Sequence, residues 1–152
     1  MIIPVYEQNK ELDFCLRALD RQLDPPSFEV VIIDDASKES ISYSVFDKFH
    51  FSVRVFRLNK NLGASTARNI GIRFAKNPIL VFLDADMLVP RNFLRVHMKI
   101  HPPYSNIISI SFRESILLPK IRLIKRKPCY MKDFRYQRIV EKRWQKQYSW
   151  LP

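Results

Sequence analysis

Asp84 and Asp86 close one apolar run, Ile79-Leu80-Val81-Phe82-Leu83, and Asp34-Asp35 closes another, Val30-Val31-Ile32-Ile33. Alternate residues of an extended chain point the same way, so Asp84 and Asp86 can aim into one pocket. Two neighbouring carboxylates repel unless one takes up a proton or a cation sits between them. A hard divalent cation that also holds a diphosphate answers that need.

Short continuous apolar runs such as these read as strands buried on both faces, as in a parallel α/β sheet. Acidic residues at their ends then lie at the carboxyl edge of the sheet, where α/β folds bind nucleotides. Ile2-Ile3-Pro4-Val5 reads as a first strand, and Leu12, Cys15, Leu16, Leu19 and Leu23 follow at helical spacing until Pro25-Pro26. The second strand spans Glu29 to Ile33. Ser37 is placed as the N-cap of a helix with Ile41, Val45, Phe46 and Phe49 on its apolar face. Phe51, Val53 and Val55 alternate as a third strand, and Asn59-Lys60-Asn61-Leu62-Gly63 opens a helix ending before Asn77-Pro78. The run into Asp84 is the fourth strand. Pro90 stands as the first residue of a fourth helix, and Ile107 to Phe112 as a further strand. This alternation implies a largely parallel sheet with helices on both faces. Tyr136, Ile139, Val140, Trp144 and Tyr148 predict one last amphipathic helix.

At 152 residues the chain can bury one sizeable core. No apolar stretch is long enough to span a bilayer, and no secretory signal is expected, since Met1 leads straight into a strand. Cys15 and Cys129 match no metal-ligand spacing. Cys15 falls on an apolar helix face and reads as a reduced core residue, which fits a cytoplasmic setting. His97 and His101 sit four apart, but no glutamate intervenes and no third ligand is evident. A solvent-facing helix surface is the preferred reading over a zinc site.

Charge is unevenly spread. Through Arg95 there are 13 Lys+Arg against 12 Asp+Glu; from Val96 onward there are 13 against 3. The basic C-terminal third has three readings: a solvated surface over a hydrophobic sheet edge, docking on anionic lipid headgroups, or contact with nucleic acid. The first is preferred, the second implies peripheral association at the inner face of a membrane, and nucleic acid is the least favoured.

Four motifs stand in order: Ile2-Ile3-Pro4-Val5-Tyr6-Glu7, Val31-Ile32-Ile33-Asp34-Asp35-Ala36-Ser37, Asn61-Leu62-Gly63-Ala64-Ser65-Thr66-Ala67-Arg68-Asn69 and Phe82-Leu83-Asp84-Ala85-Asp86. With them the chain resembles the family 2 glycosyltransferases, which have the GT-A, Rossmann-like nucleotide-sugar fold. The resemblance implies a nucleotide-sugar-binding subdomain over 1–112 and a basic C-terminal extension over 113–152. It implies transfer of a sugar from a nucleoside diphosphate donor, with a uridine diphosphate expected, to a polysaccharide, lipid or other acceptor. By resemblance Asp86 is the direct ligand of Mn2+ or Mg2+, and Asp84 contacts the ribose or the metal's water shell within the Asp84-Ala85-Asp86 motif. Asp35 matches the carboxylate that hydrogen-bonds the base, Pro4 and Tyr6 line the base pocket, and Glu7 stands beside it. Arg68 matches the position that reaches the nucleotide, and Gly63 permits close approach.

Each residue also has a plainer reading. Asp34 and Asp35 can cap a helix, Asp84 and Asp86 can form a strand-end turn, Tyr6 can pack under the sheet and Arg68 can be solvated. Family members are longer, and their second half supplies the acceptor pocket and an acidic base. After Asp86 this chain has only Glu114, Asp133 and Glu141, none in that context. The expectation is therefore a GT-A sheet truncated at the acceptor half, with a non-catalytic nucleotide-binding module as the alternative.

Overall fold

The computed structural model describes residues 1–41, 43–101, 107–110, 115–117 and 122–124. The chain divides into two compact units, Met1–Ser105 and Asn106–Pro152. In the first, β1 (Ile2–Val5), α1 (Asn9–Asp20), β2 (Glu29–Asp34), a 3-10 helix (Tyr43–Lys48), β3 (Ser52–Arg57), α2 (Ala64–Phe74) and α3 (Phe93–Ile100) follow one another. In the second, β4 (Ser115–Leu117) and β5 (Arg122–Ile124) pair antiparallel.

Three parallel strands lie in the order β1-β2-β3, with Ile3 opposite Ile32 and Ile32 opposite Val55. Every residue of β1 and β2 is buried, whereas β3, at the edge, is partly exposed. Val31 and Ile33 pack with Ala67 of α2; Val30 and Ile32, on the opposite face, are equally buried, so the sheet is covered on both sides. That is why these runs carry no polar alternation. Gly71 of α2 sits directly against Ile2, where a Cβ would overlap the isoleucine side chain. The absence of a side chain there lets α2 lie close on β1. Stacked rings of Phe56 and Phe74, 3.9 Å between centroids, hold the last residue of α2 on β3.

The run into Asp84 follows the free side of β1 but forms one parallel bridge, Ile2 with Phe82, rather than the expected full strand. Ile2 N–H donates to Val81 O at 2.8 Å and Leu83 N–H to Ile2 O at 3.1 Å. The next bond of that ladder needs an N–H on Pro4, which proline lacks. The strand is therefore cut short just before the carboxylates, and Leu80 and Phe82 remain substantially exposed.

Other departures have local causes. Ser37 caps no helix: its N–H donates to Asp34 Oδ1 at 2.9 Å and its Oγ accepts the Glu7 N–H at 3.0 Å. The helix expected after it shrinks to the 3-10 helix. Pro90 does not begin α3; its carbonyl accepts from Phe93 N–H and from Gln22 Nε2, making a turn before the helix. His97 is buried, not solvent-facing, and meets Phe93 edge-on at 4.5 Å. Residues 107–110 form no strand, with Ile108 92% exposed. The last amphipathic helix, Cys129 and the three late acidic residues lie outside the described residues.

Candidate functional site

β1, β2 and the segment paired to β1 run parallel, so they end at one edge of the sheet. Val5, Asp34 and Leu83 stop there, and the residues that follow them are brought together. The segments after β1 and β2 are tied to each other. Asp35 N–H donates to Val5 O at 2.8 Å, and Lys38 N–H donates to Glu7 Oε1 at 3.0 Å. Two residues in these turns, Glu7 at φ 56° and Ala36 at φ 63°, adopt the left-handed region, which side chains seldom enter. Asp34 is buried and structural, accepting the Ser37 N–H and facing Arg57 at 3.4 Å.

A cavity of about 260 Å³ opens at this edge, lined by Pro4, Val5, Tyr6, Gln8, Asp35, Ala64, Arg68, Asp84 and Asp86. Six of the residues singled out in the sequence thus meet in one place: Pro4, Tyr6, Asp35, Arg68, Asp84 and Asp86. Asp35 and Asp86 share a cleft despite coming from different segments. Tyr6 is 46% exposed, so its ring borders the cavity and does not pack under the sheet. Val5, Gln8 and Ala64 were given no role in advance; Val5 and Ala64 stand within two of the motifs and Gln8 directly follows one, which is the signal the sequence carries for them.

Three anticipated residues do not line the cavity. Glu7 spends its carboxylate on the Lys38 N–H. Ala85 is fully buried, within a turn closed by the Met87 N–H donating to Asp84 O at 3.1 Å. Gly63 acts through its backbone: at φ 83°, a conformation suited to glycine, its N–H donates to Asp35 Oδ2 at 2.8 Å. Leu62 N–H donates to Asp35 Oδ1 at 2.7 Å. Asp35 therefore clamps the loop that starts α2, the helix carrying Arg68. Each oxygen accepts one of these bonds and keeps a second lone pair.

Arg68 Nη2 pairs with Asp84 Oδ1 at 2.5 Å. Asp86 is exposed at the cavity, with no hydrogen bond or ion pair among the described residues. Beneath them the buried Cys15 thiol lies 3.9 Å from the Asp84 carbonyl. Burial, reinforced by the negative charges of Asp86 and Asp84, pushes this thiol up to about 12, so it stays protonated and inert. Among the described residues no three of His, Cys, Asp and Glu cluster as a metal cage. The Asp84–Asp86 pair alone suits Mg2+ or Mn2+, which bind through one or two carboxylates and complete their shell with phosphate and water.

The family model for glycosyl transferase family 2 matches residues 1–146. The chain belongs to that family. An uncharacterized Bacillus subtilis glycosyltransferase, YfnE, is 31% identical to this family 2 chain over 110 residues, covering 71% of the chain and 28% of YfnE. Validoxylamine A glucosyltransferase of Streptomyces hygroscopicus subsp. limoneus is 32% identical over 105 residues, covering 66% of the chain and 23% of that enzyme. The chain thus spans about a quarter of the length of these relatives. Among solved structures, the mannosyltransferase PcManGT of Pyrobaculum calidifontis, in complex with GDP-Man and Mn2+, aligns with a TM-score of 0.57 and 27% identity. The alignment covers 66% of this chain and 32% of PcManGT. The parallel sheet, its helices and the site at its carboxyl edge form the GT-A glycosyltransferase fold.

Proposed function

We propose that this family 2 chain forms the donor-binding portion of a glycosyltransferase. Its donor is a nucleoside diphosphate sugar, with uridine diphosphate as the preferred carrier, and its acceptor is a saccharide or lipid-linked hydroxyl. The observation that carries the reading is the convergence of Asp35, Arg68, Asp84 and Asp86, from three separate segments, on one cavity. The complex of PcManGT with GDP-Man and Mn2+ supports a nucleotide-sugar donor and a divalent cation in this fold.

Each side chain has a task in this scheme. Pro4 and Tyr6 offer an apolar and aromatic wall for the base. Asp35, through the lone pairs its loop contacts leave over, accepts an imide N–H such as uracil presents. Arg68 supplies a planar, permanently charged donor for the diphosphate. Asp86, with Asp84, would hold Mn2+ or Mg2+. When bound, that cation offsets the charge growing on the departing diphosphate. These residues are committed to the donor, so the base that takes the acceptor's proton is left unassigned.

Calorimetry with uridine diphosphate tests the proposal. We expect binding that strengthens with Mn2+ and falls at least tenfold in Asp86→Ala; unchanged affinity in that variant contradicts the metal assignment. Guanosine diphosphate titrated in parallel tests the choice of base, and equal or tighter binding of it removes uridine from the proposal. A second reading, a module that binds donor without transferring it, is favoured because none of the acidic residues after Asp86, Glu114, Asp133 and Glu141, stands in the context expected of the acidic base. Donor hydrolysis above buffer, measured without acceptor, rules that reading out.

A further inference from the structure

The charged residues lining the cavity are three carboxylates and one guanidinium, and the guanidinium is already spent on Asp84. In that arrangement the described lining offers no unengaged cation to a diphosphate, because its one guanidinium is held by Asp84. Asp86 lines the same cleft with no hydrogen bond or ion pair among the described residues, a second carboxylate beside the one that Arg68 holds. The pair itself is poised to break. Its side chains are 31% and 42% exposed, and partly solvated ion pairs of this kind are weak. Arg68 can also move without the backbone moving. Its helix is fixed by the fully buried Ala67, by Gly71 against Ile2, and by the Asp35 clamp on Leu62 and Gly63. Only the long, flexible side chain need swing.

We propose that Arg68 is an exchangeable counter-ion, held on Asp84 in the ligand-free chain and released to the diphosphate when a divalent cation takes over the Asp84–Asp86 pair. The inference rests on the donor-binding reading above and adds a regulation of the same site. Before cation arrival Arg68 keeps Asp84 balanced and its own charge hidden. Afterwards the two carboxylates are balanced by the cation, and the guanidinium faces the incoming phosphates with its full set of donors. Cation and nucleotide then bind cooperatively through Arg68 as well as through direct contact, because each favours the same side-chain position.

Arginine side-chain NMR on the intact chain tests this, with the Arg68 Nε–H signal assigned by its loss in Arg68→Lys. In the ligand-free protein we expect a restricted signal that shifts and becomes mobile in Asp84→Asn. Saturating Mg2+ alone should move the native signal to the same mobile position, and uridine diphosphate added with Mg2+ should carry it to a third, restricted one. The Mg2+ titration of the native chain stands by itself should Asp84→Asn fail to fold. If Mg2+ perturbs the backbone amides of residues 84–87 while the Arg68 signal stays put, the exchange is wrong and the donor-binding reading survives. If neither Mg2+ nor the nucleotide perturbs those amides, the reading itself fails and the exchange fails with it.

Discussion

Asp35 illustrates what a single residue can hide from sequence. Its place at the end of an apolar run marks it as a site residue, and it does line the cavity. Its second role, holding the Leu62 and Gly63 N–H groups, joins positions 27 and 28 apart that no local pattern connects. Glu7 was hidden in the same way, its carboxylate bound to a backbone group 31 residues on. The aspartates were legible because each stands where an apolar run stops, and Arg68 through the family resemblance of the motif that contains it. Loop-to-loop ties were not, because they depend on how the loops fall once the strands are aligned. Charge-assisted bonds of this kind contribute roughly 1.5–3 kcal/mol each. Asp35→Ala, which removes two of them, should therefore lower stability by about 3–6 kcal/mol in urea unfolding, besides weakening nucleotide binding. A variant that binds poorly yet unfolds like the native chain would mean the clamp on α2 carries no weight.

The elements themselves were read largely from apolar periodicity, and β1, α1, β2, β3 and α2 stand close to where that periodicity puts them. The failures came where tertiary bonding overrode it: Pro4 interrupting the ladder to the Asp84 run, and Ser37 drawn into the tie between β1 and β2. Gly71 is an element-scale constraint that periodicity cannot reveal, since it concerns the distance between a helix and a strand. Gly71→Ala should destabilise the fold by roughly 1–3 kcal/mol as α2 is pushed off Ile2. An unchanged melting temperature would show that the contact yields easily. α3 supplies a pH signature. Burial, with His101 adding repulsion, lowers the His97 pKa below its ordinary 6.5. Below that value the unfolded chain takes up a proton that folded His97 resists, so its contribution to stability is lost as pH falls from about 6.5 through the folded value. Stability measured from pH 7.5 to 5 should decline less steeply in His97→Gln than in the native chain. Equal slopes would remove His97 from the acid response.

At the scale of the whole molecule, the described candidate site lies in the first unit, and the excess positive charge of the sequence falls after Val96. Everything functional in the account follows from one topological fact: parallel strands end together, so carboxylates at their ends share a cleft. The family match over residues 1–146 and the GT-A likeness give that cleft its chemical meaning. The most direct measurement is an anomalous-scattering map from crystals grown with Mn2+ and uridine diphosphate. The account predicts a manganese peak within coordinating distance of Asp86, bridged to the diphosphate, with the base lying against Tyr6 and Asp35. A manganese ion bound elsewhere, or a nucleotide seated away from Asp35, would contradict it.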